Sequence, residues 1–337
     1  MKSIIQKLKN RTNLATSEIE EVMGLIMLGT ASQADVEEFL LALREKGPTV
    51  EEITGAARIM RKFVVPVATQ HEVVLDTCGT GGDKKNTFNI STASALVVAG
   101  AGVVVAKHGN RSVSSKCGSA DILEALGVDL NCNEKQLSDC LDHVGIAFLF
   151  AQKLHPAMKN VAPARKKLGV ETIFNVLGPL TNPAQATHQM MGVYGRDLVA
   201  PMARVLKNLG LKRALVVCGS DGLDEMTTTG VSFVSEFDGI DVISYEVDPE
   251  EFSIQRSTLE DLKGGDVHTN AEIVLNILKG KKGPQRDIVV LNAAFALYVA
   301  EAVKNIKQGV EVAACAIDSR SALKKLEDLK EFTKSVR

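Results

Sequence analysis

The segment VVLDTCGTGGDKKNTFNISTASALVVAG (residues 73–100) contains the pattern that decides the fold. A short apolar run at 73–76 leads into a turn with three glycines in four positions, and a longer apolar run follows. The first run is typical of a buried strand and the second of a buried helix, for which Ser91 or Thr92 is the predicted N-cap. The segment therefore predicts a strand, a glycine turn and a helix in succession.

The same alternation continues along the chain from residue 71. Short β-branched runs end in glycine-containing turns, and helical patterns follow them. Strands that alternate with helices form a mostly parallel sheet covered on both faces. The predicted strands lie at residues 73–76, 103–106, 147–150, 214–218, 242–247, 288–291 and 312–317.

The first 65 residues differ, because their apolar residues recur at helical spacing after caps such as Ser32 and Thr49. They predict about four short amphipathic helices and no strand. Residues 151–185 interrupt the later α/β pattern with a polar helical stretch. We expect an α/β fold with a small all-helical domain and a larger α/β domain around a mostly parallel central sheet. The expected boundaries are 1–70 with the returning segment 151–185 for the small domain, and 71–150 with 186–337 for the large one.

Charge and composition exclude several classes of partner. The 337 residues carry 39 Lys plus Arg against 41 Asp plus Glu, far from the basic balance that binding to a phosphate backbone requires. The longest apolar stretches, 93–106 and 288–300, are shorter than the roughly 20 residues of a membrane span. The six cysteines form no C-x-x-C pair, and no apolar secretion segment precedes the first helix. We expect a cytoplasmic protein with reduced thiols and without nucleic-acid or membrane partners.

The glycine turn DTCGTGGD (residues 76–83) is suited to binding an anion. Glycines let backbone N–H groups approach a phosphate, and the N-terminus of the following helix adds a favourable dipole. The P-loop pattern is absent, and G-x-G-x-x-G fails because Lys84 stands where the last glycine would be. Glycines alone also fit a tight turn without a ligand.

A second polar loop, KHGNRSVSSKCGS (residues 107–119), follows the next predicted strand. It combines three cations and four serines at the carboxyl end of a parallel strand, where doubly wound folds bind ligands. Hydroxyls, amides and cations together suit a phosphorylated sugar. The alternative is a solvated basic loop.

Acidic residues follow the predicted strand 214–218, at Asp221, Asp224 and Glu225. Adjacent carboxylates at a strand end can hold Mg²⁺, which prefers oxygen ligands and bridges to substrate phosphates. The alternative is a set of acidic residues in the first turn of a helix, favoured there by the helix dipole.

Arg165, in the stretch PARKK, can bind a carboxylate through two parallel hydrogen bonds. From its spacing alone, surface charge is the better interpretation. The six histidines show no zinc-binding spacing, and no G-x-S-x-G elbow occurs, so zinc chemistry and acyl transfer have no support.

Together these motifs resemble the anthranilate phosphoribosyltransferase family. The resemblance rests on DTCGTGGD (76–83), NIST (89–92), KHGNRSVSSKCGSAD (107–121), the stretch 174–183 and GSDGLDE (219–225), and it covers nearly the whole chain in order. It implies a Mg²⁺-dependent homodimer with its active site in the cleft between a helical and an α/β domain. Glu171 is a departure, since many members carry arginine there.

The resemblance also implies which residues bind each ligand. The anthranilate contacts would be Gly79, Asn110 and Arg165, and the magnesium ligands Ser91, Asp224 and Glu225. The phosphoribosyl pyrophosphate contacts would be Gly79, Gly82, Asp83, Thr87, Asn89, Ile90, Ser91, Thr92, Lys107, His108, Gly109, Asn110, Arg111, Ser112, Val113, Ser114, Ser115 and Ser119.

The reaction implied is transfer of the phosphoribosyl group to the amine of anthranilate, with release of pyrophosphate, in tryptophan biosynthesis. Because the aromatic amine is already neutral at physiological pH, we expect catalysis by positioning and charge stabilisation without a separate acid or base. Two alternatives remain open. One is a pyrimidine nucleoside phosphorylase, and the other is a non-catalytic regulator that binds phosphoribosyl pyrophosphate.

Overall fold

A computed structural model of the chain describes residues 1–111 and 117–336. Residues 1–65 form four helices and no strand, as predicted. Ser32 and Thr49 cap the third and fourth helices by accepting hydrogen bonds from backbone N–H groups of their first turns. These helices are α1 (Lys2–Lys9), α2 (Thr16–Leu28), α3 (Gln33–Lys46) and α4 (Val50–Lys62).

A seven-stranded sheet forms the centre of the rest of the chain, in the order β3-β2-β1-β4-β5-β6-β7. The first five strands in this order are parallel, and β6 and β7 form an antiparallel hairpin at one edge. The strands are β1 (Leu75–Asp76), β2 (Val105–Gly109), β3 (Ile146–Phe150), β4 (His188–Gly192), β5 (Arg213–Gly219), β6 (Ser232–Phe237) and β7 (Val242–Val247).

The strand order reverses between β1 and β4. From β1 the chain continues to β2 and β3 on one side, whereas β4 continues to β5 on the other. The loops that leave β1 and β4 therefore separate, and a crevice opens at their carboxyl ends. This crevice is where the fold favours a ligand.

Helices cover both faces of the sheet, as the alternating pattern predicts. Short 3-10 helices lie at Pro156–Asn160, Gly178–Leu180 and Pro249–Phe252. Among the described residues, no helix is both long and apolar enough to cross a lipid bilayer. The α-helices are α5 (Ile90–Gly100), α6 (Ser119–Ala125), α7 (Glu134–Val144), α8 (Ala151–Leu154), α9 (Ala162–Leu168), α10 (Phe174–Leu177), α11 (Arg196–Asn208), α12 (Val267–Leu278), α13 (Pro284–Val299), α14 (Ile306–Asp318) and α15 (Ser321–Ser335).

The predicted strands at 288–291 and 312–317 are wrong, because both stretches are helical, in α13 and α14. Residues 288–297 are buried on every side, so no polar face reveals the helical period in the sequence. The strands β4 and β6 escape prediction because polar residues are buried within them, such as Gln189 in β4 and Ser235 in β6. Helix α5 also begins earlier than predicted, at Ile90, so that Ser91 and Thr92 lie in its first turn and do not cap it.

Two apolar cores hold these elements together. One lies between the sheet and the helices that include α5, α12 and α13. The other joins the N-terminal helices to α11, to the outer face of β4 and β5, and to residues 161–180. Polar contacts also tie the returning segment to the N-terminal helices: the Asn160 amide donates to the Met27 carbonyl at 2.8 Å, and Lys167 pairs with Glu37 at 2.7 Å.

Replacing Glu52 by glutamine is expected to destabilise the N-terminal helices by about 3–5 kcal/mol. The Glu52 carboxylate is fully buried, pairs with the buried Lys46 ammonium at 2.8 Å and accepts the Leu14 N–H at 2.8 Å, so an amide would leave Lys46 without its counter-charge. Urea unfolding measures the change. The matched control is Glu38→Gln, which removes an exposed pair with Lys9 and should cost at most about 1 kcal/mol. Equal effects of the two substitutions would contradict the assigned role of the buried pair.

Candidate functional site

The glycine turn and the acidic pair meet at the crevice between β1 and β4. The N–H of Thr80 donates to the Gly192 carbonyl at 2.9 Å. A Cβ atom on Gly79 would lie 2.9 Å from the Gly192 carbonyl oxygen and 3.1 Å from Oδ2 of Asp224. Loops from three parallel strands, β1, β4 and β5, therefore converge on one point.

The Asp224 carboxylate is bound directly to the glycine turn. Its Oδ2 accepts the N–H of Gly81 at 2.8 Å, and both Gly81 and Gly82 adopt left-handed backbone conformations, with φ of +63° and +86°. Residues 220–230 contain no helix, so the interpretation of Asp221, Asp224 and Glu225 as the first turn of a helix is wrong. The acidic residues instead lie in a loop, in which Asp224 contacts the glycine turn.

Burial and mutual repulsion disfavour the charges of the acidic pair. Burial, followed by repulsion from Asp83, raises the pKa of Asp224 to about 7. Burial, followed by repulsion from Asp224, raises the pKa of Glu225 well above its usual value. The carboxylates of Asp83, Asp224 and Glu225 repel one another, and a divalent ion with a preference for oxygen ligands would offset this repulsion. The residues present therefore fit a magnesium ion.

Lys107 brings a buried positive charge to the same place. Its side chain is 3% exposed, and its Nζ lies 3.4 Å from the hydroxyl of Thr77 and 3.3 Å from that of Ser91. The ammonium lowers the pKa of both Asp76 and Glu225, although burial of each carboxyl outweighs this effect. The crevice thus contains both the Lys107 ammonium and carboxylates close to it.

Asp76, at the end of β1, joins the glycine turn to the end of β2. Its Oδ1 accepts the N–H of Cys78 at 3.0 Å and that of His108 at 3.1 Å. Its Oδ2 accepts the side-chain amide of Asn182 at 2.7 Å, and this amide also donates to the Ala106 carbonyl. Burial raises the pKa of Asp76 to about 6 despite these bonds.

Asp76, Cys78 and His108 also place three ligand atoms within 4.8 Å of one another. Both oxygens of Asp76 already accept hydrogen bonds, and burial raises the pKa of the Cys78 thiol. A neutral thiol and an occupied carboxylate do not suit Mg²⁺, which requires available oxygen ligands. The Asp224–Glu225 loop fits that ion better.

The start and the end of the second predicted loop lie together. A Cβ atom on Gly109 would overlap the Ser119 hydroxyl, which donates to the Asn110 carbonyl at 3.3 Å. The Arg111 guanidinium is already engaged by Asp121 at 2.7 Å and Glu124 at 2.9 Å. The predicted contacts that lie outside the described residues are Ser112, Val113, Ser114 and Ser115.

The remaining predicted phosphate contacts lie around the start of α5. Thr87 forms an isolated antiparallel bridge with Lys263, and Asn89 accepts a hydrogen bond from the hydroxyl of Thr92. Ile90 and Thr92 are each 1% exposed, and the N–H of Ile90 already donates to the Phe88 carbonyl at 2.9 Å.

The segment that contains Arg165 lies along one side of the crevice. His155 approaches His108 at 3.0 Å between their Nε2 atoms, and Gln189 donates to the Pro179 carbonyl at 2.8 Å. The Arg165 guanidinium lies 5.7 Å from the centre of the Phe174 ring, and burial lowers its pKa. Among the described residues, the observed contacts do not join Arg165 directly to Gly79 or Asn110.

Sequence patterns do not reveal several residues that shape the site. Gly192 is one, because a Cβ atom there would overlap the Asp224 carbonyl oxygen. The apolar run MMG that ends at Gly192 is the signal that would have indicated it. Tyr194 is another: its ring would lie 3.7 Å from a Cβ atom on Gly82, and burial and then the negative charge of Glu171 raise its pKa. Glu171, the departure noted above, thus acts electrostatically on this edge of the crevice.

Comparison with known families matches both parts of the chain. Residues 2–64 match the "Glycosyl transferase family, helical bundle domain", and residues 71–323 match the "Glycosyl transferase family, a/b domain". Among curated relatives, the anthranilate phosphoribosyltransferase of Acetivibrio thermocellus is 51% identical over 99% of this chain and 97% of its own length. That of Symbiobacterium thermophilum is 50% identical over 100% of this chain and 99% of its own.

Solved structures give the same result. The crystal structure of anthranilate phosphoribosyltransferase from Thermus thermophilus superimposes with a TM-score of 0.93 at 42% identity, covering 98% of this chain and 99% of that one. The enzyme from Saccharomyces cerevisiae in complex with PRPP and Mg has a TM-score of 0.91 at 28% identity, covering 99% of this chain and 97% of that one. In sequence, in fold and in the loops that converge on its crevice, the chain belongs to the anthranilate phosphoribosyltransferase family.

Proposed function

We propose that the chain transfers the phosphoribosyl group of phosphoribosyl pyrophosphate to the amine of anthranilate, releasing pyrophosphate, as a step of tryptophan biosynthesis. The observation that carries this proposal is the hydrogen bond between Gly81 and Asp224, which joins the glycine turn proposed to bind an anion to the carboxylates proposed to bind a metal. Relatives identical over half their residues are anthranilate phosphoribosyltransferases, and a solved yeast relative is a complex with PRPP and Mg.

The diphosphate is proposed to bind between the glycine turn and the start of α5. Backbone N–H groups near Gly79 and Gly82 and the buried ammonium of Lys107 would stabilise negative charge on the leaving group. The full set of proposed phosphoribosyl pyrophosphate contacts is the one that the family resemblance implies, from Gly79 to Ser119.

Ser91, Asp224 and Glu225 are proposed to hold Mg²⁺. When bound, the ion would neutralise the diphosphate and stabilise the charge that develops on it as a leaving group. The contact of Ser91 with Lys107 at 3.3 Å and the raised pKa values of the two carboxyls support this assignment, because all three side chains border one polar space.

The amine of anthranilate needs orientation more than activation. Arg165 is proposed to bind the carboxylate of anthranilate, while Asn110 and Gly79 border its amine side. The half-buried position of Arg165 over Phe174 supports this role, since partial burial strengthens a charge-assisted pair. No separate general acid or base is required.

The assembly and the location of the protein are also proposals. The family resemblance implies a homodimer, and the exposed apolar side chains of Leu28 (63%) and Val170 (39%) are compatible with one.

Free thiols at Cys78, Cys132, Cys140, Cys218 and Cys315 are consistent with the cytoplasm. The contacts of residues 160 and 167 with α2 and α3 support a small domain of 1–70 plus 151–185, beside a large domain of 71–150 and 186–337.

Purified protein with Mg²⁺, phosphoribosyl pyrophosphate and anthranilate is expected to consume anthranilate, which the loss of its fluorescence measures. Omission of Mg²⁺ should abolish the loss. Two other outcomes would reject the proposal. Phosphate-dependent cleavage of thymidine or uridine without anthranilate consumption would indicate a nucleoside phosphorylase. Calorimetric binding of phosphoribosyl pyrophosphate without turnover would indicate a regulator.

Asp224→Asn is expected to lower kcat/KM on the order of 10²-fold, since the amide retains an acceptor for the Gly81 N–H but loses the charge that a divalent ion requires. Steady-state kinetics at several Mg²⁺ concentrations measures the change. The matched control, Asp241→Asn, removes an exposed carboxylate from the turn between β6 and β7 and should leave kcat/KM unchanged. Wild-type kinetics in Asp224→Asn would remove Asp224 from the metal site.

Arg165→Ala is expected to raise the KM for anthranilate roughly 10- to 100-fold while changing the KM for phosphoribosyl pyrophosphate little, because a charge-assisted bond to the carboxylate is lost. Lys166→Ala, an exposed neighbour on α9, is the control and should have no effect. Varying each substrate in turn separates the two constants. Equal increases in both would exclude Arg165 as the anthranilate-binding residue.

A further inference from the structure

Asn292 binds the peptide that directly follows the acidic pair. Its side-chain oxygen accepts the N–H of Met226 at 2.9 Å, and its amide donates to the carbonyl of the same residue at 2.9 Å. The second amide hydrogen goes to the Ile288 carbonyl, one turn earlier in α13, at 2.8 Å. Both donors and one acceptor site of the amide are therefore used, and two of the three bonds leave the helix.

The surroundings of Asn292 are apolar. It is 1% exposed, and its neighbours Leu291, Ala293, Ala294 and Phe295 are all buried. An amide in such a place is unfavourable unless it is fully hydrogen-bonded, whereas an apolar residue would pack there without that requirement. Stability of the helix alone thus gives no reason for an asparagine.

The loop that Asn292 binds has little regular structure of its own. Residues 220–230 contain neither helix nor strand, and Met226 is fully buried. Asp221 restrains part of the loop by accepting the hydroxyls of Thr227 at 2.8 Å and Thr229 at 2.6 Å. Without the Asn292 side chain, the buried N–H and carbonyl of Met226 would have no hydrogen-bond partner there. The backbone beside Glu225 would then have to move or admit water.

We propose that Asn292 is a positioning residue. By binding both the N–H and the carbonyl of Met226, it fixes the orientation of Asp224 and Glu225 toward Mg²⁺. The inference rests on the proposed function, because it assigns the acidic pair to the metal. Asn292 acts through the backbone that carries the proposed ligands, because both of its bonds outside α13 go to Met226.

Binding of Mn²⁺ to the protein without substrates provides the test, measured from the free-ion signal in electron paramagnetic resonance. Asn292→Leu, of similar volume, should raise the dissociation constant at least 10-fold. Asn292→Ala, which leaves room for water, provides a second variant should the leucine variant not fold. The control is Thr333→Val on α15, away from the crevice. It removes a buried hydroxyl that accepts the Asp129 N–H.

The control is expected to lose thermal stability while binding Mn²⁺ as the wild type does. The half-saturating Mg²⁺ concentration in the transferase assay should rise for the Asn292 variants in parallel with the dissociation constant. A dissociation constant within twofold of the control, or no Mn²⁺ binding by the wild type, would overturn the proposal. Absent transferase activity with normal Mn²⁺ binding and a normal Asn292 effect would instead reject the proposed function alone.

Discussion

The buried carboxylate of Asp76 is the constraint on which the site depends. It accepts hydrogen bonds from the backbone of the glycine turn, from the backbone of β2 and from the side chain of Asn182. These three partners belong to segments that are far apart in the chain. A carboxylate is well suited to join them, because its two oxygens offer about four acceptor positions with fixed relative directions.

Charges of both signs are brought together before any ligand arrives. The ammonium of Lys107 is buried among hydroxyls, and the acidic pair is crowded against Asp83. Each arrangement is unfavourable for the protein alone, and the proposed diphosphate and divalent ion would offset this cost by supplying the opposite charges. Such preorganisation reduces the rearrangement needed when charge develops on a leaving group.

Sequence patterns predict the parts of the site that depend on local chemistry. Lys107 lies in β2, and the glycine turn and the loop with the Asp224–Glu225 pair follow β1 and β5, so their residue types and positions are informative without knowledge of the contacts. The parts that escape prediction depend on long-range geometry. Asn182 and Gln189 become site residues only because their amides reach Asp76 and the Cys78 carbonyl. For the fold, five of seven predicted strands are confirmed, and the strands predicted at 288–291 and 312–317 are wrong. In α13, burial on all sides removes the helical period from the sequence.

The close approach of Gly192 to the Asp224 carbonyl has a consequence for how this sequence can vary. The end of β4 and the loop after β5 share a single volume, so even one methyl group at position 192 has no place to go. Insertions or enlargements in either segment must be matched by a retreat of the other. A residue outside the proposed ligand contacts therefore limits the variation of residues within them.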